Sequence, residues 1–314
     1  MILSITLNPS IDISYPLEHL KINTTNRPLA TSKTPGGKGL NVTRVAAQLK
    51  HPVIATGFLG GKLGEWINEQ LLHLDYVTPD FFPIAGETRN CIAILHDDGQ
   101  QTEILEAGPE ISEQEAQGFL THIEKIFNEQ SINIVTISGS LPKGLANDYY
   151  KQIIQLANKF AIPTILDVSG KPLDAILNGE VKPFAIKPND EELCAIEGIP
   201  STRDLKILKD ILSKDLYKGI PLILVSLGKD GAFVRYDGQF YKVSIPHLDV
   251  VNPVGSGDST VAGLAVATAQ DALIEAIVKT AMTTGMLNAM EKATGCINPA
   301  LFDSYYEKVI VEKL

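Results

Sequence analysis

The residues best suited to chemistry lie in Asn252-Pro253-Val254-Gly255-Ser256-Gly257-Asp258-Ser259-Thr260, ahead of a small, apolar stretch over 261–268. That order reads as a glycine turn opening a helix. The first backbone N–H groups of a helix have no partner within it and lie at the positive end of its dipole, so they can hold an anion. Gly255 and Gly257, with Ser256 between them, let the backbone approach such an anion closely. Asp258 then stands beside the anion, where a carboxylate can accept the proton of a hydroxyl attacking phosphorus. The competing reading is that Asp258 only caps the helix.

Other segments repeat the pattern. Thr34-Pro35-Gly36-Gly37-Lys38-Gly39-Leu40-Asn41 is a second glycine turn leading into a helix. Lys38 beside exposed amides suits an anion or a sugar hydroxyl, and the amide of Asn41, about one turn on, can donate and accept. Ile137-Ser138-Gly139-Ser140 follows a strand, at the carboxyl edge where open α/β sheets bind ligands, although a plain tight turn has the same composition. Lys187-Pro188-Asn189-Asp190-Glu191-Glu192 also follows a strand. Asn189 and Glu192 have capping-box spacing, and the same side chains could order waters around Mg²⁺. Ser226-Leu227-Gly228-Lys229-Asp230-Gly231 ends a further strand and suits the edge of a nucleotide.

Alternating strands and helices are needed to position these turns. β-Branched runs predict strands over 1–7, 53–56, 132–137, 163–168, 183–186 and 221–225, and helical spacing predicts helices over 40–49, 63–72, 113–127, 146–160 and 205–216. That alternation implies a mainly parallel, doubly wound sheet. Two places break the rhythm. Segments 11–15 and 27–34 read as extended, and 88–95 pairs with 102–106 across His96-Asp97-Asp98-Gly99-Gln100 as a hairpin. Hairpins inserted into a parallel chain lie outside its main sheet. We therefore expect one domain over 1–314 in which segments of about 11–34 and 88–106 form a small β-lid that keeps water from the pocket.

Composition narrows the function classes. Net charge is −10, from 27 Lys plus Arg against 37 Asp plus Glu, which favours neither nucleic acid nor an anionic membrane as partner. Hydrophobic residues at 44% and charged residues at 20% are those of a globular chain. No apolar run approaches the ~18 residues of a membrane span, and the first residues lack a basic leader, so a cytoplasmic location is expected. Cys91, Cys194 and Cys296 have no C-x-x-C spacing and read as reduced thiols. No G-x-x-x-x-G-K-[ST], G-x-G-x-x-G or G-x-S-x-G occurs, and the six histidines lack zinc-ligand spacing.

Taken in order, Leu7-Asn8-Pro9-Ser10-Ile11-Asp12, Gly36-Gly37-Lys38-Gly39-Leu40-Asn41 and Gly255-Ser256-Gly257-Asp258 resemble the PfkB/ribokinase carbohydrate kinase family, over essentially the whole chain. The resemblance implies a ribokinase-like α/β core flanked by helices, a β-lid, and ATP with Mg²⁺ as cofactors. By matching position, Asp258 is the implied base and the amides of Gly255, Ser256 and Gly257 the anion hole. Asp12, Gly37 and Asn41 are implied sugar contacts. Lys187 and Asn189 would lie near the phosphates, and Ser226, Gly228, Gly231, Gly257 and Asn288 near the nucleotide. Asn189 and Glu192 would reach magnesium through water.

Glu87-Thr88-Arg89-Asn90 with Lys38 resembles the branch of that family acting on phosphorylated ketohexoses. A dianionic phosphate needs fixed cations, which Lys38, Arg89 and Arg27 can supply with help from Ser138 and Gly139. For Arg89 alone, a solvated charge on the lid is the competing reading. The resemblance implies transfer from ATP to the C1 hydroxyl of D-tagatose 6-phosphate, an activity of lactose and galactose catabolism, with fructose 1-phosphate as the alternative substrate. A sugar-phosphate sensor without turnover is the rival on the same fold. Two copies could pair through an exposed lid edge.

Overall fold

The computed structural model describes residues 1–97 and 99–314; Asp98, in the loop expected to close the lid hairpin, lies outside the described residues. The first eight strands are β1 (Ile2–Thr6), β2 (Ser10–Pro16), β3 (Ser32–Gly36), β4 (Val53–Leu59), β5 (Val77–Pro79), β6 (Phe82–Pro83), β7 (Arg89–His96) and β8 (Gln100–Leu105). The remainder are β9 (Ile134–Ser138), β10 (Thr164–Asp167), β11 (Ala185–Ile186), β12 (Leu222–Ser226), β13 (Ala232–Tyr236), β14 (Gln239–Ser244) and β15 (Ile310–Lys313). Among the described residues they form two sheets. The larger has the order β15-β14-β13-β12-β11-β10-β9-β1-β4-β5, with β6 also on β4; the smaller has the order β3-β2-β7-β8.

From β12 to β5 every pairing in the large sheet is parallel, as expected from the alternation of elements. Both faces of these strands are covered, which is why their sequences are runs of β-branched residues rather than alternating ones. Leu3, Ile5, Val135, Ile137, Leu166 and Ile223 enter one core, beneath the helices Glu113–Glu129 and Tyr149–Lys159. Their neighbours Ile2, Ile134, Ile165 and Leu222 enter the other, beneath Lys38–Gln48, Ser256–Ala269 and Ile274–Ala289.

The three antiparallel strands β13, β14 and β15 at one edge have no counterpart in the expected layout. Asp237-Gly238, both at positive φ, turns β13 into β14, the dipeptide that suits a two-residue hairpin. The helix Ile274–Ala289 was also not expected. The small sheet matches the predicted lid: β2 pairs with β3, and β7 pairs with β8 as the hairpin requires. Of the expected 27–34 segment only residues 32–34 are strand, the first part of β3; Arg27 lies in the exposed connection before it. Ile11 and Ile13 of β2 pack with Leu40, Leu59, Ile67 and Leu71, which anchors the lid to the body.

Candidate active site

Carboxyl ends of adjacent parallel strands converge on one edge of the large sheet. Thr6 ends β1, Ser138 ends β9 and Asp167 ends β10; Lys187 directly follows β11 and Ser226 ends β12. Against that edge lies a cavity of about 1000 Å³. Thr6, Asn8, Gly37, Lys38, Asn41, Ser138, Gly139, Gly255 and Asp258 line it from the body, and Asp12, Thr34, Arg89, Cys91 and Glu103 from the small sheet.

Asp258 lies in the first turn of Ser256–Ala269, but it caps nothing. The N-cap is Gly255, in the left-handed region at φ 81°, and a Cβ there would lie 2.4 Å from Thr294 Cγ2, so the turn requires glycine. The Asp258 carboxylate instead accepts from Asn41 Nδ2 at 2.6 Å. Burial, then the nearby Asp167 carboxylate, push its pKa up to about 6; Asn41, Lys38 and Lys187 pull the other way. A carboxylate with raised basicity, lining a cavity, is a candidate proton acceptor.

Asp167 was not singled out in the sequence. It sits 3% exposed with Lys38 Nζ 3.4 Å from one oxygen and Lys187 Nζ 3.4 Å from the other. Burial opposes its ionisation, yet the two lysines outweigh that and hold its carboxyl below the usual range. Lys38 is in turn held above the usual lysine range, chiefly by Asp167. Two cations on one buried acid, beside the helix start, form a ready receptor for phosphate charge. A hint was available: an acid ends the otherwise apolar strand Thr164-Ile165-Leu166-Asp167 at the edge where ligands bind.

Glu87 and Thr88 fasten the approach to Arg89. Glu87 Oε1 accepts from the N–H of Leu63 at 2.7 Å, and Thr88 Oγ1 from that of Gly60 at 3.0 Å. Arg89 itself donates to the carbonyls of Asn8 and Glu106, and among the described residues it forms no ion pair. It lines the cavity, where the Asp12 carboxylate acts on it electrostatically without forming an ion pair. Ser138 Oγ and Asn8 Oδ1, also in the cavity wall, are buried with no hydrogen-bond partner among the described residues. Asp12 accepts from Ser10 Oγ at 2.7 Å, and burial raises its pKa.

Other expected residues stand elsewhere. Arg27 is exposed and does not line the cavity among the described residues. Asn288 is fully buried, with Nδ2 donating to Val254 O at 2.9 Å and Oδ1 accepting from Ser259 Oγ at 3.0 Å and Gly295 N at 2.9 Å. Both ends of its amide are thus used, and it braces the glycine turn rather than facing a nucleotide. Asn189 and Glu192 complete a capping box: Glu192 N donates to Asn189 Oδ1 at 2.6 Å, and Asn189 N to Glu192 Oε2 at 3.0 Å. Glu192 keeps its second oxygen and acts electrostatically on Lys38.

No group of three or more His, Cys, Asp or Glu side chains that could hold a metal ion occurs among the described residues. Ser226, bridged to Asn189 across the sheet, and Gly228 and Gly231, both at positive φ, form the end of β12 beyond the lysines.

This arrangement, a carboxylate beside the glycine start of a helix in a cavity that the small sheet also lines, suits phosphoryl transfer to a hydroxyl. The chain belongs to the pfkB family of carbohydrate kinases, whose model matches residues 5–301. It is similar to a Staphylococcus aureus protein provisionally assigned as a phosphofructokinase, at 32% identity, TM-score 0.84, covering 100% of this chain and 99% of that one. Phosphofructokinase-2 from Escherichia coli, solved with fructose 6-phosphate, is 27% identical, with TM-score 0.84 and 98% of each chain covered. Arabidopsis thaliana ribokinase, solved with ribose and ATP, shares the fold at 24% identity and TM-score 0.74, covering 98% of each chain.

Proposed function

We propose that the protein transfers the γ-phosphoryl group of ATP to the C1 hydroxyl of D-tagatose 6-phosphate, giving D-tagatose 1,6-bisphosphate and ADP. One observation carries the reading: a single cavity holds both the raised-pKa carboxylate of Asp258 and the Arg89 cation, which forms no ion pair among the described residues. The segment 87–108, with its resemblance to enzymes acting on tagatose 6-phosphate, supports the choice of ketohexose.

In this reading Arg89, with the hydroxyl of Ser138, takes the 6-phosphate and fixes which end of the sugar faces Asp258. Asp12 and Asn41 orient the hydroxyls. The C1 oxygen forms its bond to the γ-phosphorus as the bond to the ADP oxygen breaks, and Asp258 takes the hydroxyl proton. Lys38, Lys187 and the amides of Gly255 and Gly257 meet the charge on the transferring group, while the Ser256 N–H donates to Pro253 O at 3.2 Å and holds the turn. Glu192 would hold the waters of a bound magnesium ion, which would supply further charge neutralisation on the nucleotide.

The deciding experiment compares kcat/KM for D-tagatose 6-phosphate, fructose 6-phosphate and fructose 1-phosphate. We expect the first to be highest and the second, differing at one carbon, to be a weaker substrate. A clear preference for fructose 1-phosphate contradicts the assignment, since its phosphate would have to enter from the other end of the sugar. Binding of all three without ADP release would make the protein a sensor.

A further inference from the structure

Arg44 lies on the helix Lys38–Gln48, one turn beyond Asn41, and among the described residues it does not line the cavity. Its guanidinium nevertheless joins three elements. It donates to the carbonyl of Pro35 in lid strand β3, to the carbonyl of Thr294 at 3.0 Å in the loop after Ile274–Ala289, and to Asn41 Oδ1 at 2.5 Å. The loop comes close: a Cβ on Gly295 would lie 2.8 Å from Arg44 Nη2. Gln48 secures the same loop, donating to Gly295 O at 3.0 Å and accepting from Ile297 N at 2.8 Å.

The chemistry of these groups allows one orientation. A guanidinium has donors only, whereas an Asn amide has an accepting end and a donating end. With Oδ1 of Asn41 bound to Arg44, Nδ2 must face Asp258, and it does so at 2.6 Å. A reversed amide would set oxygen against carboxylate and N–H against guanidinium. We propose that Arg44 is a positioning residue, which locks the Asn41 amide so that Asp258 is held ionised and aimed into the cavity, and ties that state to the lid strand. The proposal rests on the reading of Asp258 as the base.

The charged groups acting on Asp258 are Asp167, Lys38 and Lys187; those acting on Arg44 are Asp12 and Asp258, with the Cys296 thiol, whose pKa burial raises, also nearby. Loss of Arg44 removes a cation and frees the amide to turn its oxygen to the carboxylate. Both changes make Asp258 hold its proton more tightly, so the acid limb of kcat/KM moves to higher pH. The 6-phosphate of the substrate titrates in the same range, but identically for every variant, so the difference between variants reads the enzyme.

The test measures kcat, kcat/KM against pH, and the melting temperature for the wild type, Arg44→Met and Arg44→Lys. Arg44→Met should lose about tenfold or more in kcat at neutral pH, the scale expected of a misplaced catalytic group, with its acid limb shifted upward. Arg44→Lys keeps a charge but not the planar fork that meets three acceptors, and should show a smaller loss and a smaller shift. Wild-type kcat and an unmoved acid limb in either folded variant overturn the proposal, as does a lower melting temperature with an unmoved limb. If Arg44→Met does not fold, Arg44→Lys decides alone. Asp258→Asn, run in parallel, separates the two readings: its turnover at the wild-type rate refutes the base, whereas a dead Asp258→Asn beside unmoved Arg44 limbs refutes only the positioning role.

Discussion

At the scale of single residues, the raised pKa of Asp258 ties function to stability. The free enzyme should lose kcat/KM as pH falls through about 6, because the base must be ionised to accept a proton. In the unfolded chain the same carboxyl titrates near 3.8, so the native state binds more protons between those values and stability declines as pH rises from about 4 to 6. Above that window the ionised group costs about 3 kcal/mol at most. Asp258→Asn should therefore melt higher than the wild type at pH 7.5 and level with it near pH 4, as calorimetry would show. Arg89→Ala removes the fixed cation and should raise KM for the sugar phosphate about tenfold to a hundredfold while KM for ATP stays unchanged in steady-state kinetics. Asp258 was legible because its glycine turn is local in sequence. Asp167 and Arg44 were not: their roles arise from partners such as Lys38 and Thr294, 129 and 250 residues away.

At the scale of elements, the capping box of Asn189 and Glu192 starts the helix Asp190–Ile196 beside the lysines. Asn189→Ala should lower stability by about 1 kcal/mol in urea unfolding, the usual cost of losing a side-chain cap. The parallel strands were legible from β-branched runs because both their faces are buried, and the lid hairpin from its polar loop. Ile274–Ala289 escaped notice for a physical reason: it is buried on most sides, from Ile277 to Ala289, so its apolar residues show no one-sided period. The β13–β14 hairpin is written in Asp237-Gly238, a two-residue turn signal that lies outside any alternation of strands and helices. The bracing role of Asn288 has no such signature; it became interpretable only once Val254, Ser259 and Gly295 were seen around its amide.

At the scale of the molecule, β8 forms one edge of the small sheet and leaves Ile104 and Leu105 55% and 59% exposed. An unpaired sheet edge carrying exposed apolar side chains can accept another strand, and we propose a homodimer through this edge. Ile104→Lys should shift such a dimer toward monomer in light scattering, with no change in the melting of the body. The large cavity, bounded by body and lid together, is where these scales meet, and the central claim concerns one carboxylate within it. Its most direct test is the turnover of folded Asp258→Asn with D-tagatose 6-phosphate and ATP at pH 7.5. Loss of a general base predicts a fall in kcat of about a thousandfold with the melting temperature held or raised; kcat within about tenfold of the wild type would contradict the account.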